Sequence, residues 1–174
     1  LSRGLGDVYK RQMHDGEQRL RRFVDAMNDE APDFVLQLGD FCVPHPRNDA
    51  FMGIWRDFAG QRYHVIGNHE MDGGYSRQDV VDFFGMPSRC YSFDHSGGHF
   101  VVLDGNDAGG TSAGDARFVA EDQITWLRDD LASTSRPTIV FIHQPLDSVD
   151  GVDNRAAVPS PSACGADFER GYWG

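Results

Sequence analysis

The chain has 174 residues, a length typical of one domain, and 40% of them are hydrophobic and 25% charged. This composition excludes collagen, a coiled coil and a largely disordered chain. Its 27 acidic residues outnumber its 16 basic residues, so the net charge is −11. We therefore expect no binding of nucleic-acid duplexes, which requires a positive surface. No apolar run is long enough to span a bilayer, so we expect no membrane span.

The two ends of the chain differ from its middle. Residues 1–12 show neither helical nor strand periodicity and resemble a translated adapter, which predicts a non-native or disordered segment. Residues 159–174 combine prolines and glycines with scattered aromatic residues, which predicts an irregular or damaged tail. We therefore expect the domain over residues 13–158. The compartment stays open between cytoplasmic and exported, because a signal peptide could have preceded this sequence.

The first predicted elements are a helix and a buried strand. Apolar residues at helical spacing predict a helix over 16–29, with Asp15 as its N-cap and Gln18 completing a capping box. The apolar run over 34–38 is typical of a strand buried in a parallel sheet. This strand ends at Asp40.

A second helix and strand follow. Asn48 is the predicted cap of a helix with four large apolar residues, and the next apolar run predicts a strand over 63–66. This strand ends at the tetrapeptide Gly67-Asn68-His69-Glu70.

In the second half the period of the pattern changes. A short helix is predicted over 76–84, starting at a capping serine and ending before Gly85. Alternating segments at 90–93 and 99–103 flank a glycine-containing turn and predict a β-hairpin. A helix over about 120–132, with Ile124, Leu127 and Leu131 on one face, precedes a strand over 138–142. That strand ends at His143.

The alternation of helices and strands predicts an α/β sandwich in which mixed sheets are flanked by helices. Three of its strands end at side chains that can bind metal, Asp40, Asn68 and His143. Because ligands collect at the carboxyl ends of strands in such folds, we expect these side chains to converge.

The motifs carrying this chemistry occur in a fixed order: Leu38-Gly39-Asp40, then Gly67-Asn68-His69-Glu70, then Phe141-Ile142-His143. This order resembles the calcineurin-like metallophosphoesterases, whose pattern is D-x-H, G-D, G-N-H-[ED], a lone His and G-H-x-H. The resemblance covers about residues 16–158. The segments 91–94, 99–104 and 143–146 look like the bacterial phosphodiesterase branch of that family.

The resemblance implies a fold and a reaction. It implies an α-β-β-α sandwich, here incomplete at both termini, and a metal-dependent hydrolase of phosphate esters. The expected activity is that of a phosphodiesterase using a metal-bridging hydroxide and two divalent ions, manganese, iron or zinc. The expected partner is a small phosphate-ester substrate. Its identity and the oligomeric state are left open.

The resemblance also assigns roles to single residues. Asp40 would bridge the two metals, and Asn68 and His143 would bind the second one. His69 would face the substrate, where it would stabilise the phosphate or protonate the leaving oxygen. Glu70 would orient a histidine.

Two motifs of the family pattern are missing from the 174 residues. No D-x-H precedes Asp40, and no G-H-x-H follows His143. We interpret this as truncation and expect the chain as written to bind at most one metal weakly and to hydrolyse phosphate esters poorly, while the parent protein is active. The alternative is a non-catalytic scaffold or interaction protein on the same fold. The two ends of the chain lack the hydrophobic pattern of a strand or helix, which favours truncation over this alternative.

Several other residues stay secondary candidates. His14 and Asp15 could replace missing ligands, and His45 could contact substrate, although a helix cap and a solvated loop explain them better. The segment 104–107 is either part of the pocket or a turn. For the remaining histidines near strands, and for the three cysteines, which lack C-x-x-C spacing, structural and packing roles are expected: His64, His95, His99, Cys42, Cys90 and Cys164.

Overall fold

The computed structural model describes residues 15–108 and 118–144. These residues contain four α-helices and five strands, a mixed α/β composition that confirms the predicted fold class. In chain order they are α1 (Gly16–Glu30), β1 (Phe34–Gln37), α2 (Asp49–Arg56), β2 (Gln61–His64), α3 (Arg77–Phe84), β3 (Tyr91–His95), β4 (Gly98–Val102), α4 (Glu121–Ala132) and β5 (Thr138–Phe141). Short 3-10 helices occupy Pro46–Asn48 and His69–Met71.

The described residues divide into two compact units. The first contains residues 15–36 and 45–63, and the second contains 37–44, 64–108 and 118–144. All the residues in which the candidate chemistry is concentrated lie in the second unit.

The first unit is built by α1 and α2. Each helix buries apolar side chains at helical spacing, Leu20 and Val24 from α1 and Met52 and Trp55 from α2. Phe23 stacks on Trp55 with ring centroids 6.3 Å apart. These contacts explain why the apolar pattern alone located both helices.

The predicted cap of α1 is wrong in its detail. Asp15 occupies the N-cap position but makes no side-chain cap hydrogen bond, and its backbone has φ −104° and ψ 3°. A capping side chain reaches the first-turn amides from an extended N-cap residue, which Asp15 is not. Asn48 before α2 has a similar backbone and also makes no side-chain cap bond.

The strands β1 and β2 form a two-stranded sheet. Its flanking hydrogen bonds run from the Gln61 N–H to the Asp33 carbonyl and from the Val65 N–H to the Gln37 carbonyl, so the two strands are parallel. The strand predicted over 63–66 is therefore shifted. Val65 and Ile66 are fully buried but lie beyond the end of the strand, because the apolar pattern reports burial rather than pairing.

The second sheet has the order β3-β4-β5. The predicted hairpin is confirmed: β3 and β4 are antiparallel, and Ser96 and Gly97 adopt φ values of 46° and 83° in the two-residue turn between them. The strand β5 pairs in parallel with β4, with Val102 opposite Phe141.

The core of this sheet contains Cys90, Val101 and Leu103, with Trp126, Leu127 and Ile142 packed against it. Cys90 is buried, as its packing role predicts, but it is also disulfide-bonded, which the sequence analysis did not expect. The helix α4 differs from its prediction as well. Leu131 is 38% exposed, and the buried side chain of the helix is Gln123.

The helix α3 begins and ends as its sequence predicts. The Ser76 hydroxyl accepts the Asp79 N–H and the Asp79 carboxylate accepts the Ser76 N–H, which completes a capping box, and Gly85 ends the helix with φ 66°. Within residues 15–108 and 118–144, no helix combines the length and the hydrophobicity that crossing a bilayer requires.

Candidate metal centre

The loop after β1 turns sharply at Gly39 and Asp40. Both residues have positive φ, 95° and 57°, and aspartate is one of the few side chains that adopt this region readily. The turn directs the Asp40 carboxylate to two partners. One oxygen, Oδ1, accepts the His69 N–H at 3.0 Å, and the other, Oδ2, lies 3.4 Å from Nε2 of His143.

Two glycines allow these loops to approach each other. A Cβ on Gly67 would lie 2.4 Å from both the backbone nitrogen and Oδ1 of Asp40. A Cβ on Gly39 would lie 2.5 Å from Nδ1 of His143 and 2.8 Å from the Gly67 backbone. The glycines of the G-D and G-N-H-E motifs are therefore required by close packing around the Asp40 carboxylate.

The imidazole of His143 is held in a defined orientation. Its Nδ1 lies 2.7 Å from the Leu38 carbonyl oxygen, which can only accept, so Nδ1 carries a proton. In the neutral ring the lone pair is then on Nε2, which faces Oδ2 of Asp40. A nitrogen lone pair and a carboxylate oxygen that face each other attract a cation, and a backbone partner at the other nitrogen is the usual support of a metal-binding histidine.

Asn68 lies at the start of the 3-10 helix His69–Met71, and its residue surface is exposed. Its side chain makes no cap hydrogen bond to that helix. Instead, Oδ1 of Asn68 accepts a hydrogen bond from Nε2 of Gln144 at 2.9 Å. The structure thus joins Asp40 to His143 directly, and it joins Asn68 to the residue that follows His143.

The donor set suits a borderline divalent cation. A carboxylate oxygen, an imidazole nitrogen and an amide oxygen are ligand types that manganese, iron and zinc all accept. Within the described ranges, no three His, Cys, Asp or Glu side chains form a group that could hold a metal ion. The direct pair is Asp40 with His143, and Asn68 is the amide that would add to it.

His69 lies beside this pair with its side chain 53% exposed. Its Nδ1 is 2.8 Å from Oδ2 of Asp72, and this hydrogen bond raises the pKa of His69 above its usual value. Partial desolvation of the ring acts in the opposite direction, and the charges of Asp40 and Glu70 add to the increase. An exposed imidazole with a raised pKa can donate a proton or a hydrogen bond to an anionic ligand.

Glu70 does not have the role that the sequence analysis gave it. Its side chain is fully buried, and Oε1 accepts the Phe41 N–H at 2.6 Å rather than a histidine proton. Burial raises the pKa of this carboxyl group, although the backbone hydrogen bonds of the loop oppose the shift. Glu70 therefore ties the loop after Asp40 to the 3-10 helix and leaves Oε2 as a buried oxygen without a hydrogen-bond partner in the described structure.

The secondary candidates have structural roles where they are described. Nδ1 of His45 accepts the Arg47 N–H and caps the 3-10 helix Pro46–Asn48. His64 is buried and stacked on Phe84, and His99 is held between two aspartates of the second unit. His14 lies outside the described residues.

Comparison with known proteins shows the family of the chain. Residues 5–169 match the family model described as calcineurin-like phosphoesterase. The chain belongs to that family. No curated protein sequence is significantly similar to it.

A solved structure similar to this calcineurin-like phosphoesterase is a dimetal phosphatase from Danio rerio. The two share 20% sequence identity with a TM-score of 0.55, which supports a common fold. The match covers 72% of this chain and 59% of the phosphatase, so this chain spans about three fifths of that protein.

One group of residues behind Asn68 was not predicted from the sequence. The segment 104–107 was expected to be either a pocket wall or a turn, and no role was expected for Gln144. In the structure Asp104, Asn106 and Gln144 are buried and joined by hydrogen bonds that end at Asn68. A run of four residues without a large apolar side chain directly after a buried strand was the available signal.

Proposed function

We propose that this calcineurin-like phosphoesterase hydrolyses phosphate esters with the help of divalent metal ions. The observation that supports the proposal best is the pair of facing donor atoms, Oδ2 of Asp40 and Nε2 of His143, 3.4 Å apart, with the histidine proton held by the Leu38 carbonyl. The family membership supports the same reaction class.

Each proposed site residue has a distinct task. Asp40 supplies two carboxylate oxygens, of which Oδ1 is oriented by the His69 N–H, and it is the proposed shared ligand. His143 and Asn68 supply a nitrogen and an amide oxygen. A bound divalent ion supplies positive charge for the phosphate group and lowers the pKa of a coordinated water.

His69 is the proposed residue facing the substrate. Its exposed ring keeps its proton to higher pH because Asp72 accepts a hydrogen bond from it. In this state it can hold a phosphate oxygen or protonate the departing oxygen of the ester. Asp72 keeps the ring oriented for that task.

Two further proposals concern the substrate and the activity of the 174-residue chain. We propose a phosphodiester substrate, because the sequences around β3, β4 and His143 resemble the phosphodiesterase branch. We also propose that the 174-residue chain is a weak catalyst that binds at most one metal, because it contains neither D-x-H before Asp40 nor G-H-x-H after His143. The domain span of 13–158 is part of the same proposal.

The test is hydrolysis of bis-p-nitrophenyl phosphate and p-nitrophenyl phosphate after metal removal and addition of Mn²⁺, Fe²⁺ or Zn²⁺. We expect slow, metal-dependent hydrolysis that favours the diester and is abolished in Asp40→Asn. We expect His69→Ala to lower kcat at least about 100-fold, since general acid–base groups contribute on that order. A rate that is unaffected by chelation would contradict the proposal.

A second candidate is a non-catalytic scaffold on the same fold. It is favoured by the lack of a group of three His, Cys, Asp or Glu side chains able to hold a metal in residues 15–108 and 118–144. The two candidates differ in one outcome. If a D-x-H segment were joined before this sequence and a G-H-x-H segment after it, the phosphoesterase should gain strong activity and the scaffold should stay inactive.

A further inference from the structure

The side-chain amide of Asn68 is connected to the interior by two other amides. Asn106 and Gln144 are 3% and 6% exposed, and their amide groups lie in line between Asp104 and Asn68. We call these two residues the amide relay. The oxygen and nitrogen of each amide can be assigned from the partners, beginning at the buried end.

The buried end is a carboxylate that two arginines contact. Asp104 is fully buried, and its Oδ2 accepts a hydrogen bond from Nε of Arg77 at 2.6 Å. The same oxygen lies 3.4 Å from a guanidinium nitrogen of Arg89. Its backbone is also fixed, because its N–H and carbonyl both bond to the Gln123 amide, at 3.0 and 2.7 Å. The Asp104 carboxylate can therefore only accept hydrogen bonds, and it does not move freely.

This acceptor fixes Asn106. The nitrogen Nδ2 of Asn106 lies 2.7 Å from Oδ1 of Asp104 and 3.1 Å from the carbonyl oxygen of Ile66. Both partners accept only, so the amino group of Asn106 must face them. The oxygen of the same amide must then point the other way, towards Gln144 at 3.3 Å.

Gln144 is fixed in turn. An amide oxygen faces it, so it must present its amino group, Nε2, to Asn106. The same amino group donates its second proton to Asn68 at 2.9 Å. An amino group cannot accept, so the atom of Asn68 that faces Gln144 is the oxygen Oδ1.

Close packing keeps Gln144 in this position. A Cβ on Gly105 would lie 3.1 Å from both Cβ and Cγ of Gln144, so the glycine between Asp104 and Asn106 lets the glutamine seat against the relay. The Asn68 oxygen accepts one hydrogen bond from Gln144 and has a second lone pair. Asn68 is an exposed residue.

We propose that Asn106 and Gln144 are positioning residues that present the oxygen, rather than the amino group, of Asn68 to the metal. This inference rests on the proposed function. If the Asn68 amide were rotated by 180°, its amino group would face the cation. An amino group of an amide cannot bind a cation. The relay thus joins the choice of donor atom at the surface to the buried Arg77–Asp104 ion pair.

The first measurement needs no metal. In the metal-free chain, the side-chain amide protons of Gln144 should exchange with solvent much more slowly than those of Gln18, which is exposed on α1. Gln144→Leu should shift and broaden the amide signals of Asn68, because its orientation is no longer fixed. Gln144 protons that exchange as fast as those of Gln18 would overturn the relay.

The second measurement is a titration with Mn²⁺ alone, by calorimetry, arranged as a double-mutant cycle. Gln144→Leu should weaken Mn²⁺ binding by about 10-fold, the usual effect of losing a partner that orients a ligand. In an Asn68→Asp background the same change should alter affinity less than about twofold, because both carboxylate oxygens bind metal equally well. The control is Gln78→Leu, which changes an exposed glutamine whose side chain donates a hydrogen bond to Asp82 in the same helix.

The outcomes separate this inference from the proposed function. Equal losses of affinity in both backgrounds would show a merely structural role for Gln144 and overturn the inference. No Mn²⁺ binding by the wild-type chain would contradict the proposed function, and the exchange and Asn68 signals would then still decide whether the relay orients the amide. If Gln144→Leu fails to fold, Gly105→Ala, which presses on the same glutamine, replaces it in both measurements.

Discussion

The Asp40 carboxylate depends on residues that lack a side chain. The G-D and G-N-H-E motifs contain glycine directly before the proposed ligand, and the reason is space around Asp40 more than flexibility. At Gly67, φ lies outside the left-handed region, yet an added Cβ would meet the Asp40 backbone and carboxylate at 2.4 Å and Oε2 of Glu70 at 2.7 Å. The Asp40 nitrogen is backbone and the Glu70 side chain is fully buried, so neither can move aside.

We therefore expect Gly67→Ala to destabilise the chain by about 2 kcal/mol or more, as overpacking in a rigid site does. The matched control is Gly53→Ala in α2, where nothing lies within 4 Å of the added Cβ. This second change should stabilise by about 0.5–1 kcal/mol, because alanine is the better helix former. Urea denaturation of both variants measures the difference. Equal effects of the two changes would show that the Asp40 loop is not tightly packed.

At the scale of elements, local rules of capping succeeded where the backbone was favourable. The predicted serine cap of α3 is confirmed and is part of a capping box with Asp79, in which the hydroxyl and amide of Ser76 lower the pKa of Asp79. At α1 and α2 the predicted cap residues have backbone angles that keep their side chains from the first-turn amides. A cap is thus decided by the φ and ψ of one residue, which the sequence does not show.

We expect Ser76→Ala to destabilise the chain by about 1 kcal/mol at neutral pH, the usual effect of losing an N-cap. The pKa of Asp79 should rise back towards the usual value of an aspartate. A carboxyl group whose pKa is lowered by folding stabilises the fold at pH values above its unfolded-state pKa. This stabilisation is lost as the pH falls through the folded-state pKa. The difference in the free energy of unfolding between wild type and variant should therefore become smaller on acidification, without vanishing.

Denaturation as a function of pH, with an NMR titration of Asp79, measures both effects. Ser76→Thr is the control and should keep most of the stability and the lowered pKa. An Asp79 pKa that is the same in the wild type and in Ser76→Ala would contradict the reciprocal capping at this helix.

At the scale of the molecule, the motif order was sufficient to predict the family, the fold class and the meeting of Asp40 with His143. It was not sufficient for the interior that supports them. Asn106 and Gln144 are 38 residues apart in the chain, and nothing in either segment predicts that their amides meet. The sequence also does not predict that Arg89, which is 6% exposed, lies among three aspartates. Burial alone would lower the pKa of its guanidinium group, but the charges of the aspartates outweigh burial and raise it.

These long-range polar contacts escape sequence analysis for a physical reason. A hydrophobic period reports which face of an element is buried, but it carries no information about which polar groups are buried with it. Buried amides and charges are tolerated only when their partners are in place, and those partners come from distant segments. The shift of β2 by two residues has the same origin, since burial and strand pairing end at different residues.

The central claim, that Asp40 belongs to a divalent metal site, is tested most directly by titrating the metal-free chain with Mn²⁺ and recording the EPR signal of the free ion. The wild type should remove one Mn²⁺ per chain from solution. Asp40→Asn should remove none. This change should keep the loop folded, since asparagine also tolerates the positive φ of this position and keeps an oxygen for the His69 N–H. Asp82→Asn, which removes an equal charge from an exposed position, should match the wild type. Identical Mn²⁺ binding by all three chains, or none by the wild type, would contradict the account.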